Sequence, residues 1–212
     1  VRLLCQSSIR SCSIIISYRR RRVVLFHPMP DHATLLSCII LAGGRGTRAG
    51  GADKGLLLYK SRPLIEHVIE QVAPQVDDII ISANRNTEEY RRYTNQVITD
   101  NDDDYRGPLS GIVSCLPHCS HELVLVIACD MPALPGDLVQ RLQTSIGNNA
   151  VCIATIDDQH QLALLIHKDL ANSLQQHLDK ERLSLIRWVQ SLPYTTVSFD
   201  GDAEKFANLN KL

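Results

Sequence analysis

Five glycines fall within the nine residues Gly43–Gly51, directly after the apolar run Cys38-Ile39-Ile40-Leu41-Ala42. The run reads as a buried strand. The glycines after it cannot continue as a regular helix, because each interior glycine costs about 1 kcal/mol relative to alanine. They do let the backbone turn tightly around a ligand. Arg45, Arg48 and Lys54 add fixed positive charge to the same loop. A strand, then free N–H groups, then cations is an arrangement suited to a polyphosphate. The plainer alternative is a surface loop, and the order of the three features weighs against it.

Two common phosphate loops fit poorly. Gly44-x-Gly46-x-x-Ala49 matches a dinucleotide fingerprint by letters, but that motif opens a helix. Gly50-Gly51 follow at once, a pair that costs a helix about 2 kcal/mol. The next strand ends Ser82-Ala83-Asn84, with no acid there to hold a ribose. In the Walker pattern a Ser or Thr follows the lysine to hold magnesium; here Gly55 follows Lys54.

Strands and helices alternate along the chain, which predicts an α/β fold. Strands are expected at 35–42, 76–82, 97–99, 123–128, 150–156, 162–167 and 194–199. Helices are expected at 63–73, 87–93, 108–116, 135–144, 170–178 and 184–190. Leu123–Ala128 is continuous Leu, Val, Ile and Ala, the signature of a strand buried on both faces. The strands at 150–156 and 162–167 are close enough to pair as a hairpin. The prediction is a single Rossmann-like domain with a mostly parallel sheet, one antiparallel hairpin and helices on both faces. Ligands of such sheets sit beyond the carboxyl ends of the strands. The Gly43–Lys54 loop, Ser82, Asp100 and Asp130 all fall at such ends and are expected to converge.

The 212 residues, 44% of them apolar, suffice for one domain with a sizeable core. That domain is placed at 35–212. Residues 1–28 carry six arginines and no acid, with no period that would bury them. The charges sit in the wrong order for a secretory signal. Residues 1–34 are therefore read as an extension, either an arm for nucleic acid or anionic lipid or, the preferred reading, an upstream misassignment of a start at Met29. No apolar run approaches a membrane span, and neither a membrane nor a nucleic-acid partner is expected for the domain. Seven cysteines, at 5, 12, 38, 115, 119, 129 and 152, form no Cys-x-x-Cys pair. That usage fits a reducing cytoplasm rather than zinc or a disulfide frame. His67 reads as a helix-surface residue, and the other histidines show no metal spacing.

Leu41–Lys54 resembles the nucleotidyltransferase signature LAGGxxxRMGGxDK, with Ala49 in place of the methionine. The resemblance is strongest to the molybdenum cofactor guanylyltransferase (MobA) family. It continues through Gly55-Leu56-Leu57, Pro63-Leu64, His67-Val68, Ser82–Asn86, Asp100, Gly107–Gly111, Cys129-Asp130-x-Pro132 and Phe206-x-Asn208-x-Asn210, covering about 36–212. One departure lies at Gln159-His160-Gln161, where the family has a proline. The resemblance implies transfer of GMP from GTP to the molybdopterin phosphate of the molybdenum cofactor, with pyrophosphate released. It implies a cytoplasmic, monomeric enzyme, with Mg²⁺ as cofactor and with cofactor-donor and cofactor-insertion proteins as further partners. Lys54, Arg48 and Asp130 are the implied catalytic residues, with Asp130 the metal ligand. Leu41, Ala42, Gly43, Gly44, Lys54, Ser82, Asp100 and Asp130 are the implied nucleotide and metal contacts. Asn208 and Asn210 are implied to lie nearby, and the helix N-terminus after Gly107 to receive the pterin phosphate. For Asp130 the alternative is a helix cap; for Ser82 it is capping at the strand end. The alternatives for the whole chain are a cytidylyltransferase of the same cofactor, a sugar-1-phosphate nucleotidyltransferase, and a nucleotide- or cofactor-binding module without chemistry.

Overall fold

The computed structural model describes residues 35–43, 53–100 and 107–209. The strands are β1 (Leu36–Leu41), β2 (Leu58–Tyr59), β3 (Arg62–Pro63), β4 (Asp78–Ser82), β5 (Val97–Ile98), β6 (Leu123–Ala128), β7 (Val151–Ile156), β8 (Gln159–His167) and β9 (Tyr194–Ser198). The helices are α1 (Leu64–Val72), α2 (Thr87–Tyr90), α3 (Pro108–Cys115), α4 (Leu138–Ile146), α5 (Ala171–Asp179) and α6 (Leu185–Val189).

Seven strands form one sheet in the order β5-β4-β1-β6-β8-β7-β9. β5, β4, β1 and β6 run parallel, β8 runs antiparallel to both of its neighbours, and β9 is parallel to β7. Alternation along β1 divides the core. Leu36, Cys38 and Ile40 face one side with Ile65, Val68 and Val72 of α1 and Leu138 and Leu142 of α4. Ile39 faces the other side, with Leu109 and Ile112 of α3, Leu174 of α5 and Trp188 of α6. The expected α/β architecture with helices on both faces is therefore present.

Two features depart from the expectation. β2 and β3 form a small antiparallel ribbon of their own, turned by Lys60 and Ser61 with φ of 48° and 66°. Positive φ at both central residues is what a tight hairpin turn requires, but neither Lys nor Ser announces it. The ribbon is pinned to α1 by His67, whose Nε2 lies 2.8 Å from the Tyr59 carbonyl and whose Nδ1 lies 3.2 Å from Arg62. His67 is thus a buried, bonded residue rather than a helix-surface one. The second departure is β8, which begins at Gln159. His160 pairs with Thr155 across a register shift, so the segment where the family has a proline continues the strand here.

Candidate active site

The chain leaves β1 toward β4 and β5 on one side, then crosses to β6 on the other. α1 and α3, the helices between these strands, lie on opposite faces. The crevice therefore opens at the carboxyl ends of β1 and β6, where a sheet of this kind receives ligands. Backbone bonds hold its floor level. Cys129 N–H donates to the Leu41 carbonyl at 3.1 Å, and Ala42 N–H donates to the Ser82 carbonyl at 2.8 Å.

Four of the expected site residues take defined places around this floor. Lys54 Nζ donates to Asp130 Oδ2 at 2.8 Å, joining the end of the glycine-rich loop to the end of β6 across 76 positions of sequence. The side chains are 32% and 11% exposed, so the pair sits at the mouth of the crevice rather than in the core. Asp130 caps no helix: the helix that follows starts at Leu138, with Asp137 in the cap position. The Asp130 carbonyl accepts from Leu209 N–H at 3.1 Å, which returns the segment containing Asn208 to the site.

Asp100 lies on the β4 side. Its backbone N–H donates to Asn84 Oδ1 at 2.7 Å, and its Oδ2 accepts from Asn84 Nδ2 at 2.8 Å. Ser82 contributes a longer contact, Oγ to Asp100 Oδ1 at 3.5 Å. Ser82 is buried, and its hydroxyl faces α3, where a Cβ on Gly111 would stand 2.5 Å away. Ser82 thus lies behind Asp100 and Asn84, which are both half-buried. Gly43 is exposed, and a Cβ there would meet Asn84 Nδ2 at 3.5 Å. Leu41 is half-buried and Ala42 buried, leaving their backbone as what they offer a ligand. Gly44, Arg48 and Asn210 lie outside the described residues.

Sequence reasoning gave no role to Asn84, Asp53, Asn86 or Tyr90. Asp53 accepts from the Tyr90 hydroxyl and, at 3.1 Å, from Asn86 Nδ2. Burial, the nearby Cys129 thiol and the Asp53 carboxylate hold the Tyr90 hydroxyl well above the usual phenol range. Cys129, next to Asp130, is also pushed up by burial and by the Asp130 and Asp53 carboxylates. It is a thiol, not a thiolate nucleophile.

A family model described as a MobA-like NTP transferase domain matches residues 38–193. The chain belongs to this family. The MobA-like assignment extends to curated relatives that bear the name molybdenum cofactor guanylyltransferase. One from Ectopseudomonas mendocina is 40% identical over 174 residues, covering 82% of this chain and 87% of the relative. One from Shewanella halifaxensis is 36% identical over 178 residues, covering 82% and 89%. The fold matches the crystal structure of molybdopterin-guanine dinucleotide biosynthesis protein A from Archaeoglobus fulgidus with a TM-score of 0.67 and 20% identity. That alignment covers 82% of this chain and 92% of the other. The expected family and fold are thus present, and the chain is a nucleotidyltransferase. Among the described residues no helix is long and apolar enough to cross a membrane.

Proposed function

We propose that this MobA-like transferase moves GMP from GTP to the molybdopterin phosphate of the molybdenum cofactor, forming the guanine dinucleotide cofactor and pyrophosphate. The observation that carries the reading is the Lys54–Asp130 contact at the crevice between β1 and β6. A cation at the end of the glycine-rich loop beside a carboxylate at the end of the central strand is what a phosphate chain and its counter-ion would need. The names of the relatives supply guanine and the molybdenum cofactor.

The reaction is an in-line displacement. A molybdopterin phosphate oxygen forms a bond to the α-phosphorus of GTP, the bond to the bridging oxygen breaks, and the electron pair leaves with pyrophosphate. Such chemistry asks for alignment and charge stabilisation rather than a protein nucleophile. Lys54, a compact charge on a flexible stem, follows the negative charge that accumulates on the leaving pyrophosphate, assisted by Arg48. Backbone N–H groups of the Gly43–Lys54 loop receive the phosphates. Asp100, fixed by Asn84, holds the nucleoside end, with Ser82 acting through it.

The donor set fits Mg²⁺. No group of three or more His, Cys, Asp or Glu among the described residues forms an all-protein cage, and Mg²⁺ is commonly held by one or two carboxylates together with substrate phosphates and waters. Asp130 would hold it. Held by Asp130, such an ion would supply charge neutralisation at the α-phosphate as the second phosphate approaches. We further propose that the enzyme works as a monomer in the cytoplasm, beside proteins that donate and insert the cofactor.

Incubation of the purified chain with Mg²⁺, purified molybdenum cofactor and labelled GTP, CTP or ATP tests the reading. Guanine dinucleotide and stoichiometric pyrophosphate are expected. Preferential formation of the cytosine dinucleotide would move the chain to the cytidylyl branch. Nucleotide binding without pyrophosphate release would make it a binding module.

A further inference from the structure

We infer that Tyr90 is a positioning residue, which holds Lys54 at the phosphate end of the crevice through the carboxylate of Asp53. The inference rests on the reading above that Lys54 meets the phosphates. A lysine ammonium on four methylenes goes where its backbone is fixed, and Asp53 precedes Lys54 directly. Asp53, the adjacent residue, is where the chain is gripped. One carboxylate oxygen accepts from the Tyr90 hydroxyl and the other from Asn86 Nδ2 at 3.1 Å. A hydrogen bond to an ionised carboxylate is among the strong ones.

Both donors stand on the segment that leaves β4. Tyr90 is fully buried. Asn86 has a φ of 51°, a left-handed conformation that Asn tolerates better than most residues. The third member is Gly55: a Cβ there would lie 2.4 Å from the Tyr90 oxygen and 3.1 Å from its ring. Any other residue at 55 would push the hydroxyl away from Asp53. Asp53-Lys54-Gly55 thus works as one unit, in which the aspartate is gripped, the lysine reaches Asp130 and the glycine admits the tyrosine. A ring that only filled the core would need no hydroxyl, and its nearest neighbour would not need to be a glycine.

Tyr90→Phe removes the hydroxyl and keeps the ring. With GTP and molybdenum cofactor it is expected to lower kcat about ten- to a hundredfold, the scale of losing a hydrogen bond to a charged group, while the KM for GTP stays within about threefold (reading the change by). In a Lys54→Ala background the same substitution should change kcat by less than about twofold, because residues acting through one another are non-additive. Asp53→Asn, at a half-buried position, should reproduce both results and serves if the phenylalanine variant misfolds. A second readout needs no catalysis. Under a brief pulse of acetic anhydride, followed by peptide mass spectrometry, Lys54 should acetylate several-fold faster in both variants than in the natural chain. Equal labelling rates, or a kcat loss that persists undiminished in the Lys54→Ala background, would overturn the positioning role. Faster labelling in a protein that transfers no nucleotide would sustain it and overturn the proposed function instead.

Discussion

Asp130 is where the chemistry and the plainer alternatives separate most cleanly. Its carboxylate faces Lys54, and the nearest following helix has its own cap residue. Substitution by Asn keeps the shape and removes the charge a hard cation needs. Turnover should fall by several kcal/mol of transition-state stabilisation, the order of what a catalytic cation supplies. Stability should fall by no more than about 1 kcal/mol: Asp130 is buried, but its partner Lys54 is a third exposed and can turn to water. Single-turnover assays beside thermal melts check this: near-normal rates with an unchanged Mg²⁺ requirement would remove Asp130 from the metal site. Cys129 gives a second prediction. Its thiol is raised by burial and by the Asp130 and Asp53 carboxylates, so it should resist iodoacetamide at pH 8 in the folded protein and react once the chain is unfolded. Fast native-state labelling would mean that the end of β6 is more open than described.

Elements decide how closely the two sides of the crevice can approach. α3 packs against β1 and β4 at Gly111, where a Cβ would stand 2.5 Å from Ser82 Oγ and 3.0 Å from Leu41 Cδ2. Gly111→Ala adds about 1 kcal/mol of helix propensity but overpacks by about 1–3 kcal/mol. The net effect should be destabilisation of about 1 kcal/mol. Because Ser82 must move and its hydroxyl faces Asp100, the KM for GTP should rise as well. A melt that is unchanged or raised would show that α3 has room to shift. α5 should carry a pH response. His177 is buried with Nε2 unpartnered, and burial together with Arg182 and Lys180 lowers its pKa below the usual 6.5. The unfolded chain therefore binds a proton before the folded one does, and by linkage stability falls as pH drops below about 6.5. Melts between pH 7.5 and 5 should decline for the natural chain and decline less for His177→Leu. Equal slopes would assign the acid sensitivity elsewhere. Much at this scale was legible in advance. Leu123–Ala128 was recognisable as the central strand because a strand buried on both faces has no polar positions to blur it. The β2–β3 ribbon was not, because two-residue strands have no period and Lys60-Ser61 is not a turn signature. The Asp53–Tyr90 grip was hidden for another reason: it joins residues 37 positions apart, and only the fold brings them together.

At the scale of the whole molecule, the strand order sets the proposed site at the carboxyl ends of the central strands. The first β-α unit supplies the loop ending in Lys54. The chain then builds β4 and β5, which deliver Asn84 and Asp100, before returning through β6 to deliver Asp130. Lys54 and Asp130, 76 positions apart, meet at 2.8 Å, and both are legible in the sequence because each stands at or after the end of a recognisable strand. The side facing the pterin was less legible, since Gln159–Gln161 continue β8 where the family has a proline. A nucleotide held across this crevice touches segments that separate on unfolding, so it must stabilise the fold by mass action. At a free concentration of 100 times Kd the gain is about 2.7 kcal/mol, which for a domain of this size raises Tm by roughly 5–10 °C. GTP with Mg²⁺ should give that shift, and CTP or ATP at equal concentration a smaller one. Chelation with EDTA should remove part of the GTP effect, leaving what the Gly43–Lys54 loop contributes alone. Asp130→Asn should melt with GTP as the natural chain does in EDTA, insensitive to added Mg²⁺, because the cation and the carboxylate act as one contact. A CTP shift larger than that of GTP would reassign the base. A full Mg²⁺-dependent shift in the Asn variant would place the cation on other residues while leaving the nucleotide in the crevice.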